Sequence, residues 1–132
     1  MKKVFTLFFI LLSIFSYSQK SAPQGYLSLI QKAESFFLQK EYKKSALTYS
    51  AAFKEGKYKI YSFDFYNAGC AWALCGNSDS AFANLYRIVN PGIYTDHVHI
   101  SGDFDLISLR NDKRWLPLIN KVKENSQKKT GK

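Results

Sequence analysis

Two cysteines, two histidines, three prolines and seven glycines are all that this 132-residue chain holds of those types, and each scarcity excludes something. Cys70 and Cys75 stand five apart, which is neither a redox C-x-x-C pair nor half of a zinc framework. On a helix their side chains would point about 140° apart, too far round the axis for a bridge. They read as small apolar packing residues. No glycine run has the spacing of a phosphate-cradling loop, and no G-x-S-x-G elbow occurs. Ser101 beside His99 has no motif to make it a nucleophile, so no catalytic residue is assigned and no enzyme activity is expected. Alternation of strand type over four or more residues is nearly missing, and "YTDHVHI" is the one stretch that offers it. The longest apolar run, Val4 to Phe15, falls short of the roughly 20 residues needed to span a bilayer.

That short run has another reading. Lys2 and Lys3 precede it, and Ser16-Tyr17-Ser18 follows it with the small-x-small pattern of a signal-peptidase site. Residues 1–18 are therefore expected to be a signal peptide, with Gln19 the first mature residue. The protein would be exported, periplasmic or extracellular, with no stable membrane insertion after cleavage. No cysteine near the junction offers a lipid acceptor. Lys and Arg number 19 against 10 Asp and Glu, for a net charge of +9. Much of the surplus lies between Lys40 and Lys59 and after Lys121. Such faces can meet anionic polymers, but export argues against nucleic acid, and a solvated helix surface is the simpler account.

What remains is helical. Apolar residues fall at Leu29, Ile30, Ala33, Phe36 and Phe37, then at Tyr42, Ala46, Tyr49, Ala52 and Phe53 up to Gly56. A third stripe, Phe65, Ala68, Gly69, Trp72 and Ala73, ends at Gly76. Asn77-Ser78-Asp79 supplies capping side chains for a fourth: Ala81, Phe82, Leu85, Ile88 and Val89. Asp103 can cap a short turn over Phe104 to Leu109. Asn111 and Asp112 can cap a last helix carrying Trp115, Leu118, Ile119 and Val122. From Asn125 onward the chain reads as a basic tail, and residues 126–132 are expected to be disordered.

The stripes repeat. Leu29, Lys32, Ala33, Phe36, Ser45, Tyr49 and Ala52 have the spacing of Phe65, Ala68, Gly69, Trp72, Ala81, Leu85 and Ile88, 36 positions later. That pattern resembles the tetratricopeptide repeat, whose period is about 34 residues. Lys32 and Ile88 depart from it. The end of the chain, "HISGDFDLISLRNDKRWLPLINKV", is similar to the closing segment of small secreted bacterial tetratricopeptide proteins. It holds His99, Asp103-Phe104-Asp105-Leu106, then Leu109, Asp112, Arg114 and Trp115. The resemblance implies an all-α, short helical-hairpin solenoid over residues 19–125, with two repeats and a degenerate closing pair. It also implies a scaffold for protein–protein or protein–peptide contact.

In that architecture the first helix of each pair lines a concave face. Ile30, Glu34, Phe37, Phe63, Tyr66 and Cys70 are the expected binding residues, flanked by Leu27 and Ala73. The face is mostly apolar, which disfavours recognition of a carboxylate. It is either covered by the closing helix with Trp115, Leu118 and Ile119 or filled by a partner. Asn67 is expected to steady the repeat. No cofactor or metal is expected. Two alternatives remain: a small metal-dependent envelope enzyme centred on His97 and His99, and an accessory binder of anionic envelope polymer using the lysine faces. A strand would point both imidazoles the same way, with Asp96, Asp103 and Asp105 as oxygen donors.

Overall fold

The computed structural model describes residues 21–57 and 59–131. The expected signal peptide lies outside them. Among the described residues the chain is all-α, with six α-helices and one 3-10 helix. They are α1 (Gln24–Leu38), α2 (Tyr42–Gly56), α3 (Ser62–Leu74), α4 (Ser78–Val89), α5 (His97–Gly102), the 3-10 helix (Phe104–Leu109) and α6 (Trp115–Thr130). No described helix is long and apolar enough to cross a membrane.

α1 packs on α2 and α3 on α4, forming two hairpins, and α2 rests on α3. The two hairpin turns are built alike. After α3, Gly76 takes a left-handed φ of 82°, its N–H bonds Ala73 O at 3.1 Å, and Asn77 N–H bonds Trp72 O at 2.9 Å. This is a Schellman end, which closes the last free carbonyls of the helix. After α1, Lys40 takes φ 59° with the same pair of bonds, to Phe37 O and from Glu41 N–H to Phe36 O, both 2.9 Å. Lys40 precedes Gly76 by 36 positions, the offset of the sequence repeat. A lysine in the left-handed region carries a Cβ penalty that glycine lacks. Lys40→Gly is therefore expected to stabilise the protein by about 0.5–1 kcal/mol, seen as a higher urea midpoint at unchanged slope.

Small residues set how closely each hairpin closes. A Cβ on Gly69 would stand 3.0 Å from Leu85 Cγ and Cδ2, so α3 and α4 meet there nearly backbone to side chain. In the first hairpin Ala33 stands at the position of Gly69 and Ser45 at that of Ala81, and the buried Ser45 Oγ donates to Ala33 O at 2.8 Å. The repeat's small position thus holds a hydroxyl whose burial is matched by a partner.

α3 is the centre of the molecule. Ala68 through Ala73 are all buried, because α2, α4 and the 3-10 helix pack on it from different sides. A helix apolar on every face is one covered on every face. The closing segment is fastened by Leu106 and Leu109, both within the core, and by Ser108 Oγ donating to Ala73 O at 3.2 Å. α6 packs on α4 and α5, burying Leu118, Ile119 and Val122.

Two sequence expectations are corrected here. "YTDHVHI" is not a strand: His97–Gly102 is a helix whose N-cap, Asp96, accepts from His99 N–H at 2.9 Å. The short aspartate cap outcompetes an alternation only a few residues long. The tail expected to be disordered from residue 126 is helical to Thr130. Asn125 accounts for this. It is buried, and its Nδ2 donates to Val89 O at 2.8 Å and Tyr94 O at 3.1 Å, tying the helix to the end of α4 and the loop beyond.

Candidate functional site

A cleft of about 400 Å³ opens between α1, α3 and the closing segment. Of the six expected binding residues it brings together five: Glu34, Phe37, Phe63, Tyr66 and Cys70. Ile30 is the exception, and it is packed into the core at 8% exposure. Helical spacing explains the rest. Glu34, Phe37 and Leu38 share the last turns of one face of α1, and Phe63, Tyr66, Asn67 and Cys70 recur at three and four along α3.

The face is partly self-covered, though not by the expected residues. Trp115, Leu118 and Ile119 are absent from the cleft. His99, Asp103 and Asp105 close its α3 side instead. Tyr66 is the hinge of this closure. Its hydroxyl donates to Asp103 Oδ2 at 2.7 Å, and its ring stacks on Tyr94 at 5.2 Å and on Phe63 at 6.4 Å, with His99 5.2 Å away. At 3% exposure Tyr66 belongs to the core. Phe63, one turn earlier, is 65% exposed and Leu38 opposite it is 83% exposed. The α1 side of the cleft is open.

The polar floor is acidic. Asp103 Oδ1 accepts from Asp105 N–H at 2.9 Å, and Cys70 Sγ donates toward Asp103 Oδ2 at 3.8 Å. The Cys70 thiol, Asp103 and Asp105 lie within 4.8 Å of one another. Burial, reinforced by the two carboxylates, pushes the Cys70 thiol far up from its ordinary value. It stays protonated at neutral pH, neither a nucleophile nor a thiolate ligand. Burial and then the Asp103 charge raise Asp105. Asn67 of α3 and Tyr49 of α2 both line the cleft.

His97 and His99 do not form a pair. On α5 they are two residues apart, about 200° around the axis, and His99 Nδ1 is hydrogen-bonded to Tyr94 Oη at 2.6 Å. Both cysteines are free. The other piece of the closing segment that carries the resemblance, Asp112 with Arg114, acts as a clamp on α4. Arg114 bonds Asp112 at 2.6 Å and Asp79 at 2.7 Å and lies over the Phe82 ring at 4.4 Å. Its side-chain and backbone hydrogen bonds hold the Asp112 carboxyl down at about 2. Two of the three α2 lysines lie over the protein's own aromatics, Lys43 on Trp72 and Lys44 on Phe36.

His99, Asp103 and Asp105 line the cleft without being among its expected binding residues. Asp103 is a helix cap, as expected. Asp105 stands in the first turn that Asp103 caps, so both are explained locally, and their place in the cleft lining is set by the tertiary structure. Comparison of the chain with protein-family models, curated proteins and solved structures finds no match.

Proposed function

We propose that this protein is an exported, tetratricopeptide-like scaffold that holds a peptide or protein segment in the cleft between α1 and α3, without catalysis. The observation that carries the reading is the juxtaposition at the rim of two large exposed apolar residues, Leu38 and Phe63, facing a concavity of about 400 Å³. Exposed apolar surface around a concave site is characteristic of binding surfaces. The tetratricopeptide likeness has its support in the 36-residue offset and in the matched Schellman turns at Lys40 and Gly76. The residues assigned to binding are Glu34, Phe37 and Phe63, while the buried Tyr66, Ile30 and Cys70 support them from beneath. The absence of lysine and arginine from the cleft lining goes against an acidic ligand.

Site-specific photo-crosslinking in the exporting cell tests this. A photoreactive residue at position 38, on the cleft rim, is expected to give a discrete adduct that the same residue at position 116 does not. Leu116 is exposed to a similar degree on α6 and does not line the cleft. Phe63→Ala is expected to remove the adduct while shifting stability by less than about 1 kcal/mol, since Phe63 is largely solvated. Equal labelling at 38 and 116, or none at 38, would overturn the binding role. An intact mass lacking residues 1–18 on the same material tests export; a chain that retains Met1 would refute it.

A further inference from the structure

We infer that the cleft takes a cationic side chain of a peptide, arginine in preference to lysine, clamped between the carboxylates of Glu34 and Asp105 and the rings of Phe37 and Phe63. The inference rests on the binding reading above and specifies its ligand.

Charge is the first ground. The chain carries a net +9, yet the lining of this cleft holds three carboxylates, Glu34, Asp103 and Asp105, and no lysine or arginine. Arg110 comes near but spends a guanidinium N–H on the backbone carbonyl of Asp103 at 3.3 Å. The Glu34 and Asp105 carboxylates accept no hydrogen bond or ion pair from any other described residue. Asp103 and Asp105 lie within 4.8 Å of each other. Two carboxylates that close repel unless a cation or a proton comes between them. The pKa of Asp105 is raised first by burial and then by the Asp103 charge, which agrees with that geometry.

The walls are the second ground. Phe37 and Phe63 offer ring faces, and the buried Tyr66 stacks on Phe63 and on Tyr94. A guanidinium lies flat on such rings and bonds carboxylates through a planar fork; its alkyl stem covers apolar surface. A free metal ion fits less well. Of its three nearest donors, the thiol is protonated and donating to Asp103. Asp103 already accepts from the Tyr66 hydroxyl and from Asp105 N–H, so few lone pairs remain to satisfy a divalent cation.

Panning the purified full chain against a random heptapeptide display library, then measuring enriched peptides by fluorescence anisotropy, tests the assignment. The expected result is enrichment of arginine or lysine at one fixed position beside an apolar residue. Affinity should fall about tenfold in Asp105→Asn and in Glu34→Gln, the loss expected for one charge-assisted contact. It should also weaken several-fold between low and high salt. Both variants are expected to melt at or above the parent, because Glu34 is exposed and Asp105→Asn relieves a like-charge contact. Enriched peptides without a basic position, whose binding is still lost in Phe63→Ala, would overturn the cationic assignment and leave the cleft a peptide site. Displacement of the peptides by zinc, calcium or manganese alone would overturn it in favour of a metal. No enrichment, or enrichment insensitive to Phe63→Ala, would sink the peptide-binding reading as well.

Discussion

Replacing Tyr66 by alanine is expected to cost about 3–5 kcal/mol of folding free energy, the range for truncating a buried aromatic. Denaturant unfolding would show it as a large drop in midpoint. Tyr66 is 3% exposed, stacks against Tyr94 and lies beside His99, so its removal leaves a void where α3 meets the closing segment. The loss has a polar part too, because the hydroxyl donates to Asp103. Tyr66→Phe separates the two. It keeps the ring and removes one charge-assisted hydrogen bond, and Cys70 remains as a donor to the same oxygen, so about 1–2 kcal/mol is expected. A loss below about 1 kcal/mol in Tyr66→Ala would mean that the closing segment does not rest on this ring, and the cleft would lose its α3 wall. The mutation is therefore a test of architecture. Binding is better read from Phe63, which is exposed.

The second large effect is expected at Tyr26. Its side chain is fully buried, its hydroxyl donates to the Asp64 carboxylate, and it accepts from Tyr61 N–H at 3.0 Å. Its ring lies where a Cβ on Gly56 would stand, 2.9 Å from Cδ2. One residue thus joins the start of α1 to the end of α2 and the start of α3. Tyr26→Phe deletes only the hydroxyl, yet it leaves a buried carboxylate and a backbone N–H without their partner, and about 2–3 kcal/mol is expected at neutral pH. Burial raises the folded-state pKa of Asp64, and the Tyr26 hydrogen bond opposes that rise. A raised acid binds its proton more readily when folded. Its destabilising contribution therefore develops as pH climbs from the unfolded carboxylate value through the folded one, and is level above. Without the opposing hydroxyl the folded value rises further. The gap between Tyr26→Phe and the parent is expected to shrink as pH is lowered from 7 toward 4. Asp112, held low, loses its own contribution as pH falls, but equally in both proteins, so it drops out of the difference. A gap independent of pH would mean that Asp64 is not the group the hydroxyl serves.

Tyr26 also marks a limit of periodicity. The α1 stripe read from the sequence begins at Leu29, but the most deeply buried large residue of that helix is Tyr26. A tyrosine at a helix start is amphipathic, and only its partners, Asp64 and Tyr61 from a hairpin more than thirty residues away, decide that it goes inside. Asp64 is the mirror case. An acidic residue in the first turn of α3 reads as a dipole match on the surface; it is buried because Tyr26 arrives to bond it.

Local chemistry, by contrast, was written in the chain itself. Helices form where apolar residues recur at three and four, and they stop where Gly76 can turn left-handed. They restart where Asn77, Asp96 and Asp103 offer a side-chain oxygen to a free N–H. Each of these needs only residues within a few positions, which is why the all-α class and most helix bounds could be read directly; the expected binding residues came instead from the tetratricopeptide resemblance, and five of those six line the cleft. The 36-residue offset is of the same kind, since equal spacing of small residues demands equal hairpins. What only the tertiary structure decided depends on contacts across the chain. Asn125 turns a polar tail into the end of α6 by bonding Val89 and Tyr94. Ile30 leaves the cleft for the core. Asp103 and Asp105, with His99 beside them, give the cleft its acidic wall because Leu106 and Leu109 are pulled into the core beneath α3. Burying those two leucines fixes the direction of the residues between and before them. The pattern of a single segment carries its own inward face, but not which distant residues its outward face will meet.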